Sequence, residues 1–263
     1  MQGKLQKMEN SNNLRILISN DDGIHAPGIK ILEKIARELT DDVWIVAPDQ
    51  EQSGAAHSLT LNHPLRAKKL KDKKFAVYGT PTDCVLMAVE ELMEGKKPDL
   101  VLSGINNGAN LGDDVTYSGT VAAAIEATLM KIPAIALSLN TKISEPNKWQ
   151  TAEDHAPALI KKLIDIGWPQ DVLININFPD VDSKKIKGVK VCKMGFRLPY
   201  KSIIKSLDPR GNPYYWFGAI PDHLENEKDT DLSVINENMI SITPLHLDMT
   251  HTKTLSQLQK HFD

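Results

Sequence analysis

The stretch Ile16-Leu17-Ile18-Ser19-Asn20-Asp21-Asp22-Gly23 constrains the whole chain. A short apolar run stops at two adjacent carboxylates and a glycine. The run is too short for a helix and is bounded by turn-forming residues, so it reads as a buried strand. Two bare carboxylates at the end of such a strand repel each other unless a cation or a basic partner lies between them. The plain alternative is a solvated loop closed by an Asx turn. At the carboxyl edge of a parallel sheet, where open α/β folds bind ligands, the same pair reads as a hard-cation site.

Beyond Gly23 the chain alternates between helix and strand patterns, as a parallel sheet needs. Ala26-Pro27-Gly28 opens a helix with apolar positions Ile31, Leu32, Ile35 and Leu39, and proline suits its first turn. Val43 to Ala47 is a second strand, which makes a right-handed βαβ unit. The polar loop from Pro48 to Asn62 carries Gln52-Ser53-Gly54, and loops this long in compact domains are functional or disordered. Thr80-Pro81-Thr82-Asp83 predicts a capped helix running to about Met93, which buries Val85, Leu86, Val89 and Leu92. Asp99 to Ser103 is a strand that empties into a glycine- and asparagine-rich loop, Gly104 to Asp114. Ser118 then caps a helix whose early residues are small. Strands at 135–139 and 172–176 flank an amphipathic helix at 151–166.

The expected fold is α/β, a Rossmann-like three-layer α/β/α arrangement with a mostly parallel sheet and a C-terminal β-hairpin and helix extension. Residues 1–13 read as a disordered tail, 14–179 as the Rossmann-like core, and 180–263 as a hairpin-rich oligomerisation extension with a strand from Met239 to Thr243 and a helix at 253–262. The aromatics Tyr214, Tyr215, Trp216 and Phe217 fit a hairpin core or subunit contact better than a base-stacking platform.

Composition removes several classes of function. A net charge of −3 without a dense Lys/Arg block argues against a nucleic-acid polymer as partner, and Lys68 to Lys74 reads as a solvated hairpin tip. Two cysteines, Cys84 and Cys192, make neither a disulfide framework nor a zinc site. Residues 1–13 lack the apolar core of a signal peptide and no run reaches membrane-span length, so a soluble cytoplasmic protein is expected.

Candidate chemistry collects at three predicted strand ends: Asp21 with Asp22, Ser53, and Asn106. Carboxylate, hydroxyl and amide oxygens suit Mg²⁺, Mn²⁺ or Ca²⁺ rather than zinc. The helix start at Ser118 fits an anion site, or a simple cap, from the same edge. A cation beside a phosphate cradle is the minimal kit for phosphoryl-transfer hydrolysis. Neither cysteine lies in a nucleophile motif, so attack by activated water is expected. Asp22 is compatible with ligand, base or nucleophile, and ligand ranks first. His25 and His57 fit substrate contact or plain surface positions, His246 fits a structural role, and Asp113 and Asp114 fit either loop support or a solvated turn.

These residues also form a pattern. Ser19 to Gly28 closely resembles the opening motif of the SurE family of stationary-phase survival phosphatases. Ala47-Pro48-Asp49, Ser53-Gly54, Gly79 to Cys84, Ser103 to Asn106, Tyr117 to Val121 and Ser241 to His246 resemble the later blocks, in order, over about residues 14–250. The resemblance implies a 5′/3′-nucleotidase acting on nucleoside monophosphates, with short polyphosphate as a further substrate. It implies one Mg²⁺ or Mn²⁺ per subunit held by Asp21, Asp22, Ser53 and Asn106. Ser118, Gly119 and Thr120 would lie near the phosphate, with Asn20 and Asn106 as further substrate contacts and Asp21 and Asp22 as the catalytic pair. It also implies a homo-oligomer, dimer or tetramer, with exchanged C-terminal segments. A phospho-receiver domain would need an aspartate where Asn106 stands, and a dinucleotide module would need a G-x-G-x-x-G that no strand precedes. A non-catalytic nucleotide sensor on the same site is separated only by a phosphate-release assay.

Overall fold

The computed structural model describes residues 14–141, 146–196, 203–217 and 227–262; the tail expected at 1–13 lies outside them. A nine-stranded sheet has the order β3-β4-β2-β1-β5-β6-β7-β11-β8. Its centre is β1 (Arg15–Ser19), parallel to β2 (Asp42–Pro48) on one side and to β5 (Leu100–Asn107) on the other. Ile16 and Ile18 belong to the core on one face, and Leu17 to the core on the opposite face. A strand buried on both sides reads as a continuous apolar run, which is why so few residues suffice to place it.

Parallel pairing continues through β6 (Ala134–Asn140) to β7 (Val172–Pro179), and from β2 to β4 (Lys74–Val77), while β3 (Ala67–Lys71) returns antiparallel beside β4. Helices α1 (Pro27–Arg37) and α4 (Gln150–Ile166) cover one face; α2 (Pro81–Met87) and α3 (Gly119–Leu129) cover the other. The arrangement is the three-layer α/β/α fold expected. Among the described residues no helix is long and apolar enough to cross a membrane.

Local sequence accounts for the helix starts. Thr80 and Asp83 form a capping box at α2, with Pro81 in the first turn. The helix ends earlier than predicted, at Met87, and passes into a π-helical turn, Ala88–Leu92, closed by Met93 N–H on the Ala88 carbonyl at 3.0 Å. The extra residue in that turn brings Ala88, Val89 and Met93 into the core and leaves Leu86 and Leu92 half-buried.

The predicted boundary at 180 is crossed by the sheet. Strand β11 (Ile240–His246) pairs antiparallel with β7, β8 (Val189–Val191) pairs with β11, and Ile240 and Ile242 join the main core. Helix α5 (Asp231–Asn236) packs on the same strands. Among the described residues beyond 180, β9 (Ile203–Leu207), β10 (Pro213–Phe217) and α6 (Thr252–Phe262) behave as an appendage: the first two form a separate hairpin, and none of the three buries a residue.

At Gly28 in the first turn of α1, an added Cβ would lie 1.9 Å from the Ile105 carbonyl oxygen, so only glycine lets α1 pack on β5. Gly28→Ala is expected to destabilise the protein by about 2–3 kcal/mol through this overlap, whereas the exposed Lys30→Ala should stay within about 0.5 kcal/mol. Urea unfolding midpoints at unchanged slope measure both.

Candidate functional site

The crossovers that follow β1 and β5 run to opposite sides of the sheet, so a crevice opens above the carboxyl ends of these two neighbours. Asp21 and Asp22 leave the end of β1, and Asn106 stands at the end of β5. The N-terminus of α3 enters the same place. A Cβ on Gly119 would sit 2.7 Å from Asp21 Cβ and 3.0 Å from Asp21 Oδ2, so the helix reaches the carboxylate because its first residue has no side chain. Thr120 Oγ1 donates to Asp21 Oδ1 with both residues buried. Across the crevice the Asn107 N–H donates to Asp22 Oδ2 at 3.0 Å.

The third loop is tied in through its backbone. Gln52 N–H donates to the Asp21 carbonyl at 2.8 Å, Ala56 N–H to that of Tyr117 at 3.2 Å, and His57 Nε2 meets Glu126 Oε2 of α3 at 2.8 Å. Ser53 rides on this loop, exposed, with its hydroxyl donating to Glu51 Oε1 at 2.9 Å. Asp83, buried under the loop, accepts from Thr60 N–H and Thr60 Oγ1 at 3.1 and 2.6 Å.

Burial raises the Asp22 pKa to about 6, and negative charge on Asp21 and Glu51 adds to the rise, against the opposing pull of the Asn107 N–H. Asp21 is raised too, by burial first and Glu51 in part, opposed by the Thr120 hydroxyl and backbone N–H groups. The charged groups that act on the pair are negative: Glu51 on both, and Asp21 on Asp22. Among the described residues no three His, Cys, Asp or Glu side chains cluster as a metal centre. The donors at hand are therefore two carboxylates with neutral amide and hydroxyl oxygens. This fits a hard divalent cation that keeps part of its water shell, and does not fit zinc.

The remaining candidates have defined places. Asn20 is buried, and its Nδ2 donates to the Gly23 carbonyl at 2.9 Å, bracing the turn that bears the pair. Asn106 Nδ2 donates to the Gly108 carbonyl at 2.9 Å, which commits the nitrogen to the loop and leaves oxygen as the end suited to a cation. Ser118 Oγ accepts from Val121 N–H at 3.0 Å as the cap of α3. His25 is exposed, Asp113 and Asp114 are half-buried in a 3₁₀ turn, and His246 meets Asp171 at 2.9 Å at the foot of β11.

Sequence reading missed the buried polar group behind the Asn106 loop, formed by Asn110, Ser138, Asn175, Asn177 and Asp231. The signal that could have found it was Asn175-Ile176-Asn177, two asparagines on one face of an otherwise apolar strand.

Residues 16–200 match the family model described as survival protein SurE. The 5'-nucleotidase SurE of Parvibaculum lavamentivorans is 55% identical over 250 residues, covering 93% of this chain and 90% of that protein. The 5'-nucleotidase SurE of Paramagnetospirillum magneticum is 53% identical over 249 residues, covering 95% and 96%. The crystal structure of the SurE protein from Aquifex aeolicus superposes with a TM-score of 0.83 at 39% identity, covering 95% of this chain and all of that one. With the crevice, the carboxylate pair and the α3 cradle on the matched residues, the chain belongs to the SurE family.

Proposed function

We propose that the protein is a divalent-cation-dependent nucleotidase of the cytoplasm that hydrolyses nucleoside 5′- and 3′-monophosphates, and short polyphosphate, releasing phosphate. The observation that carries this reading is the seating of Asp21 against the N-terminus of α3, with Asp22 next to it on the Asn107 N–H, which puts cation donors and an anion-binding helix end in one crevice. The relatives' name, 5'-nucleotidase, supports the nucleotidase part of this reading. In this reading Asp21, Asp22, Ser53 and Asn106 hold one Mg²⁺ or Mn²⁺ per subunit. Bound there, the cation would supply positive charge to the phosphoryl oxygens and polarise the attacking water.

The chain's own groups do the rest. The Thr120 hydroxyl and Asn107 N–H fix the two carboxylates. The start of α3, behind the Ser118 cap, lies against Asp21, and its positive dipole end would stabilise the developing charge of a phosphate bound beside the pair. Asn20 serves substrate indirectly, through the turn it braces, and the His57–Glu126 pair holds the Ser53 loop beside the crevice.

Phosphate release from adenosine 5′-monophosphate is expected to vanish on exhaustive EDTA treatment and return with Mn²⁺ or Mg²⁺. Asp21→Asn or Asp22→Asn should lower kcat by at least about 100-fold while the thermal midpoint is kept. Full turnover without a cation would rule the reading out.

Small phosphomonoesters are favoured because the chain carries a formal net charge of −3, without the excess of Lys and Arg with which proteins hold a nucleic-acid polymer. In a panel of mononucleotides, sugar phosphates and polyphosphate, nucleoside monophosphates should give the highest kcat/KM. Equal rates on p-nitrophenyl phosphate and every nucleotide would reduce the assignment to a general phosphatase.

We also assign the hairpin of β9 and β10 to a homo-oligomer contact, in a dimer or tetramer. Tyr214 and Trp216 alternate with Tyr215 and Phe217 along β10, and all four are exposed, so the hairpin is apolar on both faces. Two isolated strands of this kind need a covering surface to be stable. Light scattering should give at least a dimer, and a Tyr215→Asp/Trp216→Asp double variant should fall to monomer; a monomeric parent chain would refute the assignment.

A further inference from the structure

The strip of chain from Asn106 to Ser118 joins the two halves of the site, and its middle is gripped by side chains that the site itself does not use. Asn110 is buried there. Its N–H donates to Asn177 Oδ1 at 2.9 Å and its Nδ2 to Ser138 Oγ at 2.8 Å. Its carbonyl accepts from Asn175 Nδ2 at 2.8 Å and Asn177 Nδ2 at 3.0 Å. One residue on, Leu111 is buried against Leu232 and Ile235 of α5. The next residue, Gly112, donates its N–H to Asp231 Oδ2 at 2.8 Å.

Asp231 comes from far along the chain. The segment that carries β9 and β10 leaves after Lys193-Met194-Gly195 and comes back at Asp229-Thr230-Asp231. The two sides meet through Lys193 N–H on the Asp229 carbonyl at 3.3 Å and Asp231 N–H on the Lys193 carbonyl at 3.0 Å. At this neck Asp231 is fully buried, and Oδ1 accepts from the N–H groups of Gly195 and Leu232, each at 2.8 Å. One carboxylate thus holds the catalytic loop, the departing strand and α5 through charge-assisted bonds. The packing leaves no slack: a Cβ on Gly112 would lie 3.1 Å from the Gly195 carbonyl oxygen, and one on Gly195 3.0 Å from Asp231 Oδ1.

We propose that Asp231 is a positioning residue for phosphate ester hydrolysis: through Gly112 it fixes the loop that aims Asn106 and the start of α3 at the substrate, and so couples the neck of the hairpin segment to turnover. The inference rests on the reading of Asn106 as a site residue under the proposed function. An amide in place of the carboxylate keeps its shape but loses an acceptor and turns a donor toward backbone N–H groups, which loosens the loop and leaves substrate contacts in place.

The test compares Asp231→Asn, Asn106→Ala and the double variant as full-length chains of verified thermal midpoint. Steady-state turnover of adenosine 5′-monophosphate at saturating Mn²⁺ is measured, with the Mn²⁺ affinity taken by calorimetry without nucleotide. Asp231→Asn should lower kcat about 10- to 100-fold with KM within about twofold, and weaken Mn²⁺ binding. In the Asn106→Ala background the same change should cost less, because the part of its effect that passes through Asn106 is already lost. Wild-type kcat in Asp231→Asn, or a loss that multiplies in full with that of Asn106→Ala, overturns the proposal. If Asp231→Asn does not fold, Ser138→Ala, which removes a single bond to Asn110, should lower kcat several-fold at unchanged KM, and wild-type kcat there overturns it. Wild-type turnover and Mn²⁺ affinity in Asn106→Ala would sink the underlying site reading; an inactive Asn106→Ala beside a fully active Asp231→Asn sinks only the coupling.

Discussion

The structure depends on one contact, the approach of α3 to Asp21. A carboxylate only 3% exposed needs compensation for its lost water. It receives the Thr120 hydroxyl and the positive end of a helix dipole. Both demand that the helix come within van der Waals distance, which requires glycine at 119 and small residues behind it. Ala122, Ala123 and Ala124 are buried on the sheet and allow that depth. Strand β1 fixes the other partner, since Ile16, Leu17 and Ile18 are locked on both faces and leave Asp21 no freedom to withdraw. A displacement of an ångström between these parts would separate cation donors from phosphate donors.

The loops of the site are held to one another mainly by main-chain bonds. Ile24 N–H reaches the Pro48 carbonyl, Gln52 N–H that of Asp21, Asn107 N–H the Asp22 carboxylate and Ala56 N–H the Tyr117 carbonyl. The three that end on a carbonyl place their loops without consuming the side chains needed for chemistry. They also explain why the crevice sits at the switch point: only there do loops diverge, leaving edges free to be stitched across the gap.

Much of this was legible in the residues because parallel strands buried on both faces announce themselves as apolar runs, and because helix starts carry their own caps. Thr80 with Asp83 and Ser118 with Val121 sit as the spacing predicted. The acidic pair and Asn106 stand at the ends of β1 and β5, where the apolar runs before them placed strand ends. The strand at 240–246 was harder. Ser241 and Thr243 alternate with Ile240 and Ile242, the pattern of a half-exposed hairpin strand, yet both polar residues are buried in the main sheet. The Asp231–Gly112 bond spans 119 residues, and nothing local to either residue signals the other. The π-helical turn after α2 escaped for a related reason, since Val89 and Met93 enter the core only once the sheet is there to receive them.

The distribution of buried polar atoms shows how the fold divides its tasks. Leu17, Val101 and Leu173 lie in the apolar cluster under α2 and α3. Two residues further along the same strands, on the same face, stand Ser19, Ser103 and Asn175. Among the described residues, the hydroxyls of Ser19 and Ser103 and the side-chain oxygens of Asn20 and Asn175 are buried without a hydrogen-bond partner. Apolar substitutes would pack at least as well, so stability does not explain them. Their position does: all lie at the carboxyl end of the sheet, under Asp21 and the Asn106 loop. The amino-terminal half of the strands supplies the cohesion that lets the other half stay polar, and a site built on that half can hold charge at a depth that loops alone would not maintain.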